Sequence, residues 1–175
     1  MIEQELMLTW EQRKLGEVAH IKTGNSDVQD AVEDGCYPFF VRSDVVEKSD
    51  KYIFDCEAIL VPGEGRLGDI YHYYKGKFDC HQRVYKISDF ENVPGKFVLY
   101  AMQRSFKRHA LRHTVKATVD SLRLPTLTGF LIKIPTSRTE QERIAETFSQ
   151  LDDLITLHQC KYSDLKTVAL TGLFP

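Results

Sequence analysis

At 175 residues and 42% hydrophobic content, the chain has material for one ordinary core plus a small appended element, and not for two large domains. Lysine and arginine total 23 against 25 acidic residues, a formal charge of -2. That balance excludes an indiscriminate polycation, so any nucleic-acid face must come from local clustering. Met1 to Trp10 is too short and too acidic for a signal peptide, and no run approaches the ~18 apolar residues of a membrane span, so a cytoplasmic protein is expected. Cys36, Cys56, Cys80 and Cys160 lack a C-x-x-C spacing or a zinc-finger histidine, and are expected as reduced, buried or half-buried thiols.

From Trp10 to Pro135 the chain reads as short β-type runs broken by Gly, Pro and Asp, among them Tyr52 to Phe54, Ala58 to Val61, Ile70 to Tyr74 and Arg83 to Ile87. One helix interrupts them. Pro94 suits its first helical position, and Phe97, Tyr100, Ala101 and Phe106 give a rough helical stripe. The fold class expected is α+β, a mixed globular domain followed by one long C-terminal α-helix.

Gly63, Gly65 and Gly68 spell G-x-G-x-x-G after Ala58 to Val61. A dinucleotide site would require that turn to open a helix whose amides face the phosphates, whereas Asp69 to Tyr74 reads as another strand. A glycine-permitted turn with Arg66 at its tip fits better. Arg66 then either donates two hydrogen bonds to guanine or phosphate, or is a solvent-exposed turn arginine without a partner.

Two segments concentrate positive charge. Tyr71 to Lys86 interleaves His72, Lys75, Lys77, His81, Gln82 and Arg83 with aromatic residues, which suits alternating strand faces. Arg104, Lys107, Arg108, Arg112 and Lys116, with His109 and His113, form a run containing no acid. Each is either a phosphate-binding surface or a merely solvated one. Enzymatic patterns are sparse: Asp55 with Glu64 and Arg66 offers a weak metal-nuclease pattern with arginine where lysine is usual. Gly-x-Ser-x-Gly and H-E-x-x-H are missing, and Cys80 and His81, adjacent on a strand, would point to opposite faces.

After Pro135 the character changes. Thr139 and Glu142 have capping-box spacing and predict a helix start. Ile144, Phe148, Leu151, Ile155, His158, Tyr162, Leu165 and Ala169 then follow at steps of four and three, a heptad seam without Gly or Pro. A helix from Thr139 to Leu170 would run about 47 Å, so part of it should project and pair as a coiled coil. Leu154, Leu157 and Val168 widen the stripe, which also suits a helix folded back on its own core. His158 reads as a register-setting polar residue rather than a metal ligand.

Two segments carry a resemblance. WEQRKLGEVAHIKTG, Trp10 to Gly24, resembles the opening of a target-recognition domain in specificity (S) subunits of type I restriction-modification systems. Ile134 to Lys166, with Pro135, Glu140, Gln141, Ile144 and Ala145 and the element Leu151 to Ile155, is similar to the conserved helical region that follows. YPFFVRSDV, Tyr37 to Val45, and the segment Ile59 to Ile87 look like the body of such a domain.

The resemblance implies residues 1–135 as a DNA-reading domain and 136–175 as a helical spacer and dimerisation region. It implies a non-catalytic subunit that directs methyltransferase (M) and, indirectly, restriction (R) subunits to a bipartite site on double-stranded DNA. No cofactor is implied in this chain; AdoMet belongs on the M subunit. Arg66, His81, Gln82 and Arg83 are expected at base edges, and Lys22, Arg42, Ser43, Arg104, Lys107, Arg108 and Arg112 at phosphates. Ile144, Phe148, Leu151, Ile155, His158, Tyr162 and Leu165 are expected to pair with a second helix. A complete S subunit carries two recognition domains; here one stands, so the chain is either a half-sized subunit that homodimerises or pairs with a second half, or a fragment.

Overall fold

The computed structural model describes residues 9–114 and 120–171, with side chains of the last helix described as far as residue 162. Lys116 and the side chains of Leu165, Val168 and Ala169 therefore lie outside the described residues.

The centre is a six-stranded sheet in the order β2-β7-β5-β6-β3-β4, built from His20–Thr23, Val84–Ser88, Phe54–Pro62, His72–Cys80, Tyr37–Phe40 and Val46–Ser49. All neighbours run antiparallel except β3 and β6, which pair in parallel through Phe39 with Asp79 and Phe40 with Cys80. Strand β5 is central and buried on both faces: Ile59 and Val61 enter one cluster, Ala58 and Leu60 the other. That is why Ala58 to Val61 is continuously apolar rather than alternating.

The larger cluster lies under α2 (Gly95–His113), whose Phe97, Val98, Met102, Phe106 and Ala110 face the sheet. The second lies on the opposite face and is aromatic, with Phe40 5.6 Å from both Phe78 and Tyr74 between ring centroids. A two-stranded ribbon of β1 (Trp10–Lys14) and β8 (Leu131–Pro135), with α1 (Leu15–Val18) and α3 (Leu124–Thr128), packs beside α2 and sets the first described strand next to the one that leads into the last helix.

Pro94 caps α2 from the position before its first helical residue, one residue earlier than expected; its fixed φ of -67° suits either place. The start of α4 (Arg138–Thr171) also differs. The capping side chain is Ser137, whose Oγ accepts from the Glu140 amide at 3.4 Å, while the expected cap partner Glu142 instead accepts from Arg138 at 2.7 Å. Ser137 and Glu140 keep the same Ser-x-x-Glu spacing two residues upstream, so the signal was right in kind and shifted in position.

Helix α4 docks over its first turns and is exposed beyond them. Its first turns dock: Ala145 is buried, Ile144 packs on the main cluster, and Phe148 lies 5.2 Å from the Tyr100 ring. Tyr100 also donates to Asp152 at 2.7 Å. Ile144 and Phe148, expected at an intermolecular seam, are thus used inside the chain. From Leu151 to Tyr162 every residue is exposed, Leu154 and Ile155 among them.

Candidate nucleic-acid interface

The three loops that follow β3, β5 and β6 meet around Glu64. Arg42 and Ser43 follow β3, Glu64 and Arg66 follow β5, and His81, Gln82 and Arg83 form the turn from β6 to β7. Glu64 takes Arg42 on one carboxylate oxygen and Arg83 on the other, each at 3.1 Å. Arg66 is 63% exposed and 3.7 Å from Asp44, and Gln82 donates to Asp27 at 2.8 Å. An open groove of about 530 Å³ runs between Val28, Arg42, Asp44, Glu64 and Arg66.

The turn is held from below. Asp79 is fully buried and accepts from Ser26 at 2.7 Å, from Ser49 at 3.0 Å and from the Cys80 amide at 2.8 Å. Ser26 in turn accepts the Gln82 amide on its carbonyl at 2.9 Å. A buried carboxylate with its acceptor capacity used in this way rigidifies rather than reacts. Gly24 completes the support: a Cβ there would stand 1.8 Å from the Cys80 carbonyl oxygen, so only glycine admits this approach.

His81 does not reach outward. It is 3% exposed, and its Nδ1 accepts the Arg83 amide at 2.9 Å. Burial, and next the nearby Arg42 charge, lower its pKa, which agrees with an unprotonated Nδ1. The base-edge role expected for His81 gives way to one of shaping the turn that displays Gln82 and Arg83. Its neighbour Cys80 is buried as well, and burial pushes the thiol up to about 12, far from a nucleophile's range.

The glycine turn explains how α2 joins the site. Gly68 has φ of +71°, and a Cβ on it would lie 2.6 Å from the Lys107 Cα, so the loop lies directly on the helix. Lys107 reaches across to Asp69 at 2.7 Å. Arg104, Arg108 and Arg112 follow at steps of four, which sets them along one exposed face of α2. They have no ion pair among the described residues. The loop arginines are thus braced by carboxylates, while the helix arginines stand unneutralised.

Lys22 stays apart from this cluster. Its ammonium sits 4.8 Å above the Phe54 ring, at the other end of β5 from Glu64. Asp55 and Glu64 likewise stand at opposite ends of β5, and Glu64 is occupied by two arginines, so the nuclease pattern does not assemble. The bracing acids Asp27, Asp44 and Glu64, and the buried Asp79, were missed as site residues. Asp44 two residues after Arg42, and Glu64 two before Arg66, were the only local signals. A second cleft, about 660 Å³, lies between the sheet and the base of α4, lined by Glu57, Tyr73, Arg138 and Glu142, without a comparable basic cluster.

Residues 7–167 match the family model described as the type I restriction modification DNA specificity domain. The chain belongs to that family. It is 29% identical over 147 residues to the EcoDI type I restriction enzyme specificity subunit of Escherichia coli, covering 84% of this chain and 32% of that protein. Among solved structures, an S subunit of a type I restriction-modification system from M. genitalium superposes with a TM-score of 0.73 at 20% identity, over 87% of this chain and 41% of that one. The HsdS subunit from Thermoanaerobacter tengcongensis gives 0.62 at 15% identity, over 90% and 41%. This specificity-domain chain therefore spans about a third of the curated relative and two fifths of the solved ones. The expected α+β fold with its long terminal helix is the fold these structures share. Among the described residues no helix is long and apolar enough to cross a membrane.

Proposed function

We propose that this chain is a non-catalytic DNA reader that supplies half of the sequence recognition of a type I methyltransferase and restriction assembly. The observation that carries the reading is the meeting of Arg42, Arg66, Gln82 and Arg83 from three loops beside the acid-free stripe Arg104, Arg108 and Arg112. Arginine and glutamine in rigid turns suit base edges in the major groove, where bidentate donors distinguish guanine and adenine. Arginines on a helix face with no ion pair among the described residues suit phosphates, which fix register without reading sequence. Ser43 and Lys107 border the two groups and belong with the phosphate contacts.

In this reading residues 1–135 form the recognition domain and residues from 136 onward the spacer. Leu151, Ile155, His158, Tyr162 and Leu165 pair with a helix of a second copy or a second half subunit. M subunits carry AdoMet and methylate adenine, the R subunit joins through them, and the assembly works in the cytoplasm. Two recognition domains related by a two-fold axis would read an inverted, bipartite site.

The test is in vitro methylation of a mixed-sequence plasmid by the M subunit with and without this chain. Methylation confined to one motif, and only with the chain present, supports the reading. Methylation unaffected by the chain, or DNA cleavage in Mg²⁺ by the chain alone, contradicts it.

A further inference from the structure

Glu64 has 21% of its side chain accessible, while its partners Arg42 and Arg83 are 48% and 60% exposed. The carboxylate therefore lies beneath two guanidinium groups that face outward. Each of its oxygens serves one arginine at 3.1 Å, so neither arginine can take both and each keeps most of its five N–H donors for something else. The backbone below is equally fixed. Gly63 donates its amide to the Arg83 carbonyl at 2.8 Å, and Glu64 forms a strand bridge with Ser121.

We propose that Glu64 is a specificity-setting positioning residue: it holds Arg42 and Arg83 in one fixed fork, so that both act as readers of base edges. The proposal rests on the DNA-reading role above and fixes Arg42, which the resemblance placed at phosphates, as a base contact. Without the carboxylate two like charges from different loops would repel and splay, and the donor pattern that a base pair must match would blur. Glu64 also subtracts one charge from a face that meets a polyanion. Its removal should therefore act in opposite directions on sequence discrimination and on plain affinity.

The experiment selects binders from a randomised duplex DNA library with the full chain and with the variants E64Q and E64D, then measures each on the selected duplex and on a scrambled one across a salt series. For E64Q the selected motif should lose definition at the positions facing the fork, with discrimination falling about tenfold. Affinity for the scrambled duplex should rise, and its salt dependence should steepen by about one unit of log–log slope. E64D keeps the charge but is too short to span both arginines; it should lose discrimination with no gain on scrambled DNA. The proposal is overturned if E64Q keeps the wild-type motif and discrimination, or if specific and scrambled binding fall together with a lowered melting temperature, which would make Glu64 a fold residue. A wild-type chain that enriches no motif would instead remove the DNA-reading role itself.

Discussion

The arginines of the site divide by what sits beside them, and that division can be measured one residue at a time. Arg66→Ala should relax discrimination at one base position by about 1–3 kcal/mol, because a lost bidentate pair penalises the right base alone. Arg108→Ala should weaken all duplexes alike and lower the salt slope by about one; binding titrations on matched and mismatched duplexes separate the two. Asp79→Ala leaves two serine hydroxyls and the Cys80 amide unpaired in the interior, a cost of about 3 kcal/mol in chemical denaturation. Buried His81 and half-buried His109 add a pH dependence. Burial lowers the pKa of His81 and of His109, so the unfolded chain, with its histidines near 6.5, binds protons that the folded chain refuses. Stability is then full above about pH 7 and declines as pH falls below about 6.5. A melting temperature that stays level from pH 7.5 to 5.5, or a slope unchanged in His81→Gln and His109→Gln together, would contradict this.

At the scale of elements, α4 has two halves in different surroundings, one docked on the core and one exposed. Leu151→Asp with Ile155→Asp should leave the melting temperature within about 2 °C of wild type, since both are exposed and surface changes cost little. The same pair should abolish self-association or M-subunit capture in sedimentation and pull-down experiments. Ala145→Asp, which puts a charge where Ala145 is 5% exposed, should instead destabilise the fold by several kcal/mol. Equal loss of stability in both variants would mean that the whole helix is core.

Much of this was legible beforehand, and particular residues show why. Ala58 to Val61 is apolar at every position and became the central strand, and the step of four and three after Pro135 became one unbroken helix. The ribbon of β1 and β8 was not legible, because it joins Trp10 to Pro135, a pairing that depends on tertiary contacts and leaves no local pattern. The short helices α1 and α3, of four and five residues, are too brief to show a period. Ile70 and Tyr71 looked like the start of a strand, yet they pack into the core from a loop that lies on α2. At the site, the arginines were visible as charge. The acids that hold them were not, since Glu64 is far in sequence from Arg42 and Arg83 and meets them only when the loops after β3, β5 and β6 come together.

For the whole molecule, the proposed function makes the loops around Glu64 a reader, the face of α2 a grip on the backbone, and the outer half of α4 a ruler toward a second reader. A net charge of -2 sets the background: affinity comes from one concentrated face, so non-specific binding should be weak and collapse with modest salt. The most direct test is sequencing of methylated adenines in cells that express this chain with its M subunit, alongside cells expressing an Arg42→Ala, Arg83→Ala double variant. The account predicts methylation at a single bipartite motif with the wild-type chain, and at that motif with one or more positions degenerate with the variant. The same motif, equally well defined in both, would contradict it.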